Sequence, residues 1–454
     1  MSSSTSTLRA LDPAEAYFHL MDGVSPMHFV VFAERTGPLD AERVRASLAI
    51  LQESDALLAV SIDYDEALRQ LVFKQDRSQA IPVVTVDTGT DAWEPWIEAE
   101  LMRPFERGVA PLVRCHILRE SPRGKSCLAL TCHHAIGDGR SSADLMRRLL
   151  DLVAGGGSAN GMGTDAASPV AGGVPLHHQF PASFQWDVQE GALRKAAGAL
   201  TRDAMRDGFP DAPPWFARSP GPRAMRLLRV RLGAGIVQDL VDATRREGAS
   251  MHGVLCAAQL IGQYRLFGGA APHKLLLTCP VDLRHHLVAE ASVRPTQLYA
   301  SNVFSTYGID GDTSLWPLAR QVMARTREQI RRGDGHYFYS AKSVAQAIRS
   351  PMEASLFNEV VATALQGSVM SAVGKLEAPG RDASVESISF AIAPSVQNAV
   401  FSAASTFAGC MTINMVYDEG NLVEGTVPAL AEAMKSLLVG AARQATVASQ
   451  VGAG

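Results

Sequence analysis

The segment KSCLALTCHHAIGDGRSS, residues 125–142, carries the strongest structural signal in the chain. Its apolar first part predicts a strand that ends in two adjacent histidines. The two glycines of AIGDG predict a tight turn, in which Gly139 either adopts a positive φ or allows a close backbone approach. Ser141 resembles a helix N-cap, and apolar residues follow it at helical spacing. We therefore expect strand, turn and helix, with the run 112–120 as a neighbouring strand.

The histidine pair, His133 and His134, suits acid–base chemistry better than metal binding. Neighbouring side chains on a strand point to opposite faces, so the two rings cannot easily share a metal, and we expect no metal site. An imidazole with a pKa near about 6.5 can act as a general base if the turn aims it into a cleft. A bare histidine pair is more often structural. Two other His-His pairs, at 177–178 and 285–286, are not followed by Asp-Gly at the spacing found after His134.

The wider pattern predicts an α/β protein in two parts. Strand-like and helix-like runs mix in both halves, and consecutive strands favour mixed or antiparallel sheets over a doubly wound parallel sheet. Residues 154–176 form a Gly/Ala/Ser/Pro stretch that cannot pack a core. We expect an N-terminal subdomain at 1–160, a linker or crossover at 161–185 and a C-terminal subdomain at 186–454.

Composition narrows the class of protein. With 454 residues, the chain is longer than a domain with one hydrophobic core usually is. Its content of 47% hydrophobic and 19% charged residues is typical of globular proteins. A net charge of −4 argues against nucleic-acid binding. The six cysteines show no CxxC spacing and predict buried free thiols. No signal peptide or membrane span is evident, so we expect a cytoplasmic protein that acts as a monomer.

The residues His133 to Gly139 match the HHxxxDG signature, and the chain resembles the superfamily of chloramphenicol acetyltransferase. That superfamily includes peptide-synthetase condensation domains, plant BAHD acyltransferases, polyketide-associated acyltransferases and wax ester synthases. The stretch 11–40 resembles the opening of the last two groups, and 280–284 (PVDLR) and 301–304 (SNVF) are similar to further family segments. The chain departs from relatives at 371–374, where it has SAVG, and a BAHD-type DFGWG motif is absent.

The resemblance implies two chloramphenicol-acetyltransferase-like subdomains with a tunnel between them. It implies an acyl thioester, on coenzyme A or on the phosphopantetheine arm of a carrier protein, as co-substrate and no permanently bound cofactor. His134 would deprotonate the acceptor, with no covalent enzyme intermediate, while His133 would be structural. Asp138 would form a salt bridge with Arg284 across the subdomain interface. Asn302 would hydrogen-bond near the reacting carbonyl or orient a loop, or it would be an ordinary polar residue at a strand edge.

Three functions remain open on the sequence. The first is an O-acyltransferase of natural-product or lipid biosynthesis that makes an ester from a thioester and a hydroxyl acceptor. The second is a free-standing condensation enzyme that forms an amide or ester from carrier-bound substrates. The third is a non-catalytic scaffold that binds carrier proteins, against which the intact His134 and Asp138 argue.

Overall fold

The structure is a computed structural model. It describes the following residues: 6–23, 25–89, 92–121, 124–155, 176–184, 202–203, 205–216, 223–268, 270–288, 296–336, 367–380, 382–396 and 398–451.

The first half of the chain builds one large sheet and one small one. The strands of the large sheet from this half are β2 (His28–Arg35), β5 (Val83–Asp87), β6 (Val113–Arg119) and β7 (Ser126–His133). The small sheet contains β1 (Ser6–Ala10), β3 (Val60–Asp65) and β4 (Gln70–Gln75). Strand β7 runs antiparallel between β2 and β6, and all eight of its residues are buried. This central position explains its continuous apolar run.

Four helices of the first half are described, and one of them carries the histidine motif. They are α1 (Pro13–Met21), α2 (Ala41–Ser54), α3 (Glu94–Leu101) and α4 (Gly139–Val153). The N-cap of helix α4 lies three residues before the N-cap expected at Ser141. Asp138 is its N-cap and accepts hydrogen bonds from the backbone N–H groups of Arg140 and Ser141. The motif aspartate therefore starts the helix, and Ser141 closes a capping box with it.

The second half builds a six-stranded mixed sheet in the order β10–β9–β11–β13–β14–β8. Its strands are β8 (Met225–Leu232), β9 (His273–Asp282), β10 (Ala300–Ile309), β11 (Gly367–Lys375), β13 (Asn398–Phe407) and β14 (Cys410–Asp418). The helices described in this half are α5 (Ala234–Arg246), α6 (Met251–Phe267), α7 (Leu315–Arg332) and α8 (Thr426–Val451).

Strand β12 (Val385–Ile392) crosses from the second half into the first sheet. It pairs antiparallel with β2, so that the first large sheet has the order β12–β2–β7–β6–β5. The two sheets are further joined by Asn414 of β14, whose side-chain amide donates to the Phe390 carbonyl at 2.8 Å. A division by chain position at 160 and 185 therefore does not separate the sheets. Most of the expected linker, residues 161–175 and 185, lies outside the described residues.

The fold class expected from the sequence is confirmed: an α/β protein with two large sheets of mixed strand direction flanked by helices. Among the helices that the structure describes, none combines the length and apolar character needed to cross a membrane.

Candidate active site

A cavity of about 160 Å³ lies between the two large sheets, at the turn that joins β7 to α4. The first half supplies His134, Gly139 and residues of α1, and the second half supplies strands β9, β10, β11 and β13. Strand β12 adds Phe390. This volume is smaller than that of a pocket that holds a whole drug-sized ligand. It is the volume expected of a narrow passage at the histidine.

His134 is the imidazole that faces this cavity. Its ring stacks on Phe18 with centroids 4.0 Å apart and an interplanar angle of 3°, and it meets Phe29 edge-on at 5.3 Å. Its backbone N–H donates to the Met27 carbonyl at 2.8 Å. The two aromatic rings and this backbone bond fix the orientation of the imidazole.

The surroundings of His134 favour its neutral form. Burial lowers its pKa below the ordinary value of 6.5, and hydrogen bonding to the backbone of His134 itself and of Gly137, with the charge of Asp138, only partly opposes this. A neutral imidazole can accept a proton at once, which a general base requires.

His133 lies on the other side of the strand and is buried. Its Nδ1 accepts a hydrogen bond from the backbone N–H of Ala135 at 3.0 Å, and its ring contacts Phe105 edge-on. Burial lowers its pKa to about 3, although Asp22 at 3.9 Å opposes this. A neutral ring that holds the following turn suits the structural role expected from the sequence.

Asp138 is buried and has four partners. Besides the two N-terminal N–H groups of α4, it accepts from the Tyr299 backbone N–H at 2.8 Å and from Arg284 Nη2 at 3.0 Å. Burial alone would raise the pKa of this carboxyl, but the Arg284 charge and the hydrogen bonds hold it below its ordinary value. The structure thus brings Asp138 and Arg284 into contact across the two halves.

Arg284 is fixed by more than Asp138. Its Nη1 donates to Asp282 at 3.0 Å, and its guanidinium lies 4.4 Å from the centroid of the Tyr299 ring. Burial lowers its pKa, but the two carboxylates outweigh that and raise the pKa above the ordinary value. Tyr299 therefore contributes both a backbone donor to Asp138 and a ring beneath the arginine.

Gly139 does not adopt the positive φ that the sequence allowed. The other expectation, a close approach, describes it better: a Cβ here would lie 3.2 Å from Val373 Cγ1 and 3.2 Å from Phe390 Cε2. The glycine therefore lets residues of β11 and β12 pack against the first turn of α4, beside the cavity.

Two further residues bear on the chemistry of the site, Asn302 and Cys132. Asn302 lies on β10 opposite Pro280 of β9, and both residues line the cavity. Cys132 is buried, and burial raises the pKa of its thiol to about 12, so it is not a nucleophile at neutral pH. The aromatic run at 337–339, whose sequence suggests either a channel lining or an ordinary packed loop, lies outside the described residues.

Sequence reasoning missed the aromatic pair around His134. Phe18 belongs to α1 and Phe29 to β2, more than a hundred residues before the motif. Phe18 falls within the stretch 11–40 whose family resemblance was noted, but no spacing rule predicts that its ring meets the imidazole. The Tyr299 contacts were missed for the same reason.

A family profile and one curated protein are similar to parts of this chain. The profile of the phthiocerol/phthiodiolone dimycocerosyl transferase C-terminus matches residues 221–416. Tyrocidine synthase 3 of Brevibacillus parabrevis is 31% identical over 119 residues, which are 26% of this chain and 2% of that protein. The chain thus spans only a small part of the curated relative that it matches.

Two solved structures have the same fold over nearly the whole chain. The trichothecene 15-O-acetyltransferase TRI3 of Fusarium sporotrichioides superimposes with a TM-score of 0.71 at 13% identity, covering 95% of this chain and 94% of that one. Polyketide synthase associated protein 5 of Mycobacterium tuberculosis gives a TM-score of 0.61 at 18% identity, covering 97% and 99%. Similarity at this level of identity establishes the fold.

Proposed function

We propose that the chain is a thioester-dependent O-acyltransferase of natural-product or lipid biosynthesis, because its profile match and its fold resemble those of condensation domains and chloramphenicol-acetyltransferase-like acyltransferases. The observation that carries the proposal is the position of His134. It is a neutral imidazole held between two aromatic rings, and it faces a cavity to which both sheets contribute.

In the proposed reaction, the neutral imidazole of His134 accepts the proton of an acceptor hydroxyl as the hydroxyl oxygen attacks the carbonyl carbon of an acyl thioester. The tetrahedral intermediate then collapses, the C–S bond breaks, and the leaving thiolate takes the proton back from His134. The products are an ester and a free thiol, and His134 returns to its neutral form. Positioning of both substrates in the cavity contributes more than the base alone.

Asn302 is the candidate for orienting the carbonyl. Its amide is on the cavity wall formed by β9 and β10, across from the half that carries His134. An amide N–H aimed at the carbonyl oxygen would stabilise the negative charge of the tetrahedral intermediate.

The donor is proposed to be an acyl group on coenzyme A or on a carrier-protein phosphopantetheine arm. Both carry the same thioester chemistry, and TRI3, which has the same fold, is a 15-O-acetyltransferase. The apolar part of the cavity wall suits an acyl chain or an apolar acceptor. It includes Phe304, Phe390 and Phe401.

The test is to incubate purified protein with acyl-coenzyme A and with the same acyl group on a carrier protein, each with matched alcohol and amine acceptors. We expect free-thiol release and an ester, detected by mass spectrometry, only when donor and alcohol are both present. Amide formation alone would favour the condensation alternative. Carrier binding without any product from either donor would favour the scaffold.

The pH dependence of the reaction follows from the direction of the His134 pKa shift. A base is available above its own pKa, and burial places this pKa below 6.5. We therefore expect kcat/KM to change little between pH 7.5 and 6.5 and to fall only at lower pH. An inflection above pH 6.5 would contradict this.

The fold itself needs a control in this measurement. His133 has a folded pKa of about 3, well below that of the unfolded chain. Its contribution to stability is present above about pH 6.5 and declines as pH falls below that value. Circular dichroism at each pH separates loss of the base from loss of the fold.

A further inference from the structure

A second cluster of chemically reactive side chains lies between α6 and β9. His252 and Cys256 are four residues apart on α6, and therefore on the same face of the helix. Cys256 Sγ is 3.4 Å from His252 Nε2 and 3.9 Å from Cys279 Sγ of β9. The three ligand atoms all lie within 4.8 Å of one another.

This cluster is separate from the catalytic cavity. Thr278 and Pro280, the neighbours of Cys279 on β9, line the cavity, whereas Cys279 points to the opposite face of the strand. That face packs against α6. The cluster therefore lies behind one wall of the cavity, and His134 has no part in it.

The distances between the ligand atoms are those of a tetrahedral metal site. With Zn–S bonds of about 2.3 Å and Zn–N bonds of about 2.0–2.1 Å, tetrahedral angles place two sulfurs about 3.8 Å apart and a sulfur and a nitrogen about 3.5 Å apart. The sulfur–sulfur distance of 3.9 Å and the sulfur–nitrogen distance of 3.4 Å agree with these values. The third pair, Cys279 and His252, lies within 4.8 Å, a separation that a rotation of the imidazole can shorten.

We propose that His252, Cys256 and Cys279 bind one Zn²⁺ ion, with a water molecule as the fourth ligand. Both thiols lose their protons to solvent on binding, so that the ion and two thiolates have no net charge. The positive end of the α6 dipole therefore does not oppose the bound unit. Thiolate and imidazole ligands select zinc over magnesium or calcium.

The burial of the three residues fits this site. Both cysteines are buried, whereas His252 is partly exposed and gives the ion a path from solvent. A bound ion would join α6 to β9 and so support the strand whose other face forms the cavity wall. No motif spacing predicts a metal here, because the ligands come from a helix and a strand and the cysteines are 23 residues apart.

A disulfide between Cys256 and Cys279 is the alternative to a metal site. It needs an S–S distance of about 2.05 Å, so the sulfurs would have to move almost 2 Å closer, and it gives His252 no function. The measured separation fits the metal better.

The test uses Co²⁺ as a spectroscopic substitute for Zn²⁺ on the full chain, prepared with reductant and freed of metal by a chelator. We expect one Co²⁺ per chain, with thiolate-to-cobalt charge-transfer and tetrahedral d–d bands that Zn²⁺ abolishes. Cys279→Ser and His252→Gln should each lower Co²⁺ affinity more than about 100-fold, since even an outer-shell partner is worth about 10–100-fold. Cys410→Ser, which removes the exposed cysteine of β14, should leave it unchanged.

Thermal unfolding of the unmodified chain gives a second measurement that needs no variant. Zn²⁺ should raise Tm with increasing concentration, and a chelator should reverse the rise, because the ion binds the folded chain. Absence of Co²⁺ bands from the reduced chain would overturn the proposal, and so would binding that survives loss of any two ligands. A Cys256–Cys279 disulfide found by mass spectrometry, together with no Co²⁺ binding after reduction, would overturn it in favour of a redox cross-link.

Discussion

Replacement of His134 by alanine should lower kcat/KM for acyl transfer by more than about 100-fold, the lower limit of the contribution of a general base. The two other titratable groups of the described cavity wall do not replace it, because Asp138 already has four partners and a lowered pKa, and burial raises the pKa of the Tyr17 hydroxyl. The measurement is the initial rate of thiol release with saturating acceptor, at a pH where the unmodified protein is on its plateau.

Two companion variants separate the chemistry from the packing. His134→Gln keeps a polar side chain of similar length against Phe18 but has no basic nitrogen, so it should be as inactive as the alanine variant. His285→Ala removes an exposed histidine from another His-His pair and should retain full activity. Turnover by His134→Ala within a few-fold of the unmodified protein would remove the base from the mechanism and revive the scaffold hypothesis.

The sequence predicted local structure well where a segment determines its own conformation. The apolar run of β7 and the neighbouring strand expected at 112–120, which is β6, both lie where the pattern indicated. In each of these, the hydrogen bonds or the alternation of side chains come from residues close in sequence, so periodicity and turn residues are sufficient.

The site could be predicted only in part, because its contacts join distant segments. The pairing of Asp138 with Arg284 came from a family resemblance, since 146 residues separate them and no local rule connects them. The capping role of Asp138 was missed although it is local, because Ser141, three residues later, also has a side chain that favours the N-cap position. The backbone donor of Tyr299 carries no sequence signal at all.

The crossing of β12 shows the same limit at the level of topology. Its alternating sequence predicts a strand, but its partner, β2, lies more than 350 residues earlier. Strand pairing over such a distance depends on which sheet edge is left open after the other strands have paired. That information is in the three-dimensional arrangement, and it decides that Phe390 reaches Gly139 and the cavity.

Replacement of Asp138 by alanine should lower the free energy of unfolding by about 2–4 kcal/mol, with about 1 kcal/mol from the lost N-cap and about 1–3 kcal/mol from the lost hydrogen bond of the Tyr299 N–H. Arg284 would keep Asp282, so its charge would not be left without a partner. Because Asp138 belongs to one half and Tyr299 to the other, the same change should also displace the turn that carries His134 and lower activity. Urea unfolding and kcat/KM, measured on the same preparation, give both effects.

Asp138→Asn distinguishes the cap from the ion pair. Asparagine is as good an N-cap as aspartate and can still accept from Tyr299, but it has no charge for Arg284. We therefore expect a smaller loss of stability than with alanine. The matched control is Glu42→Ala in the first turn of α2, where the carboxylate is exposed and the expected change is within about 1 kcal/mol. If Asp138→Ala were no less stable than Glu42→Ala and equally active, the contacts of the motif aspartate would not hold the two halves together, and its place in the signature would need another explanation.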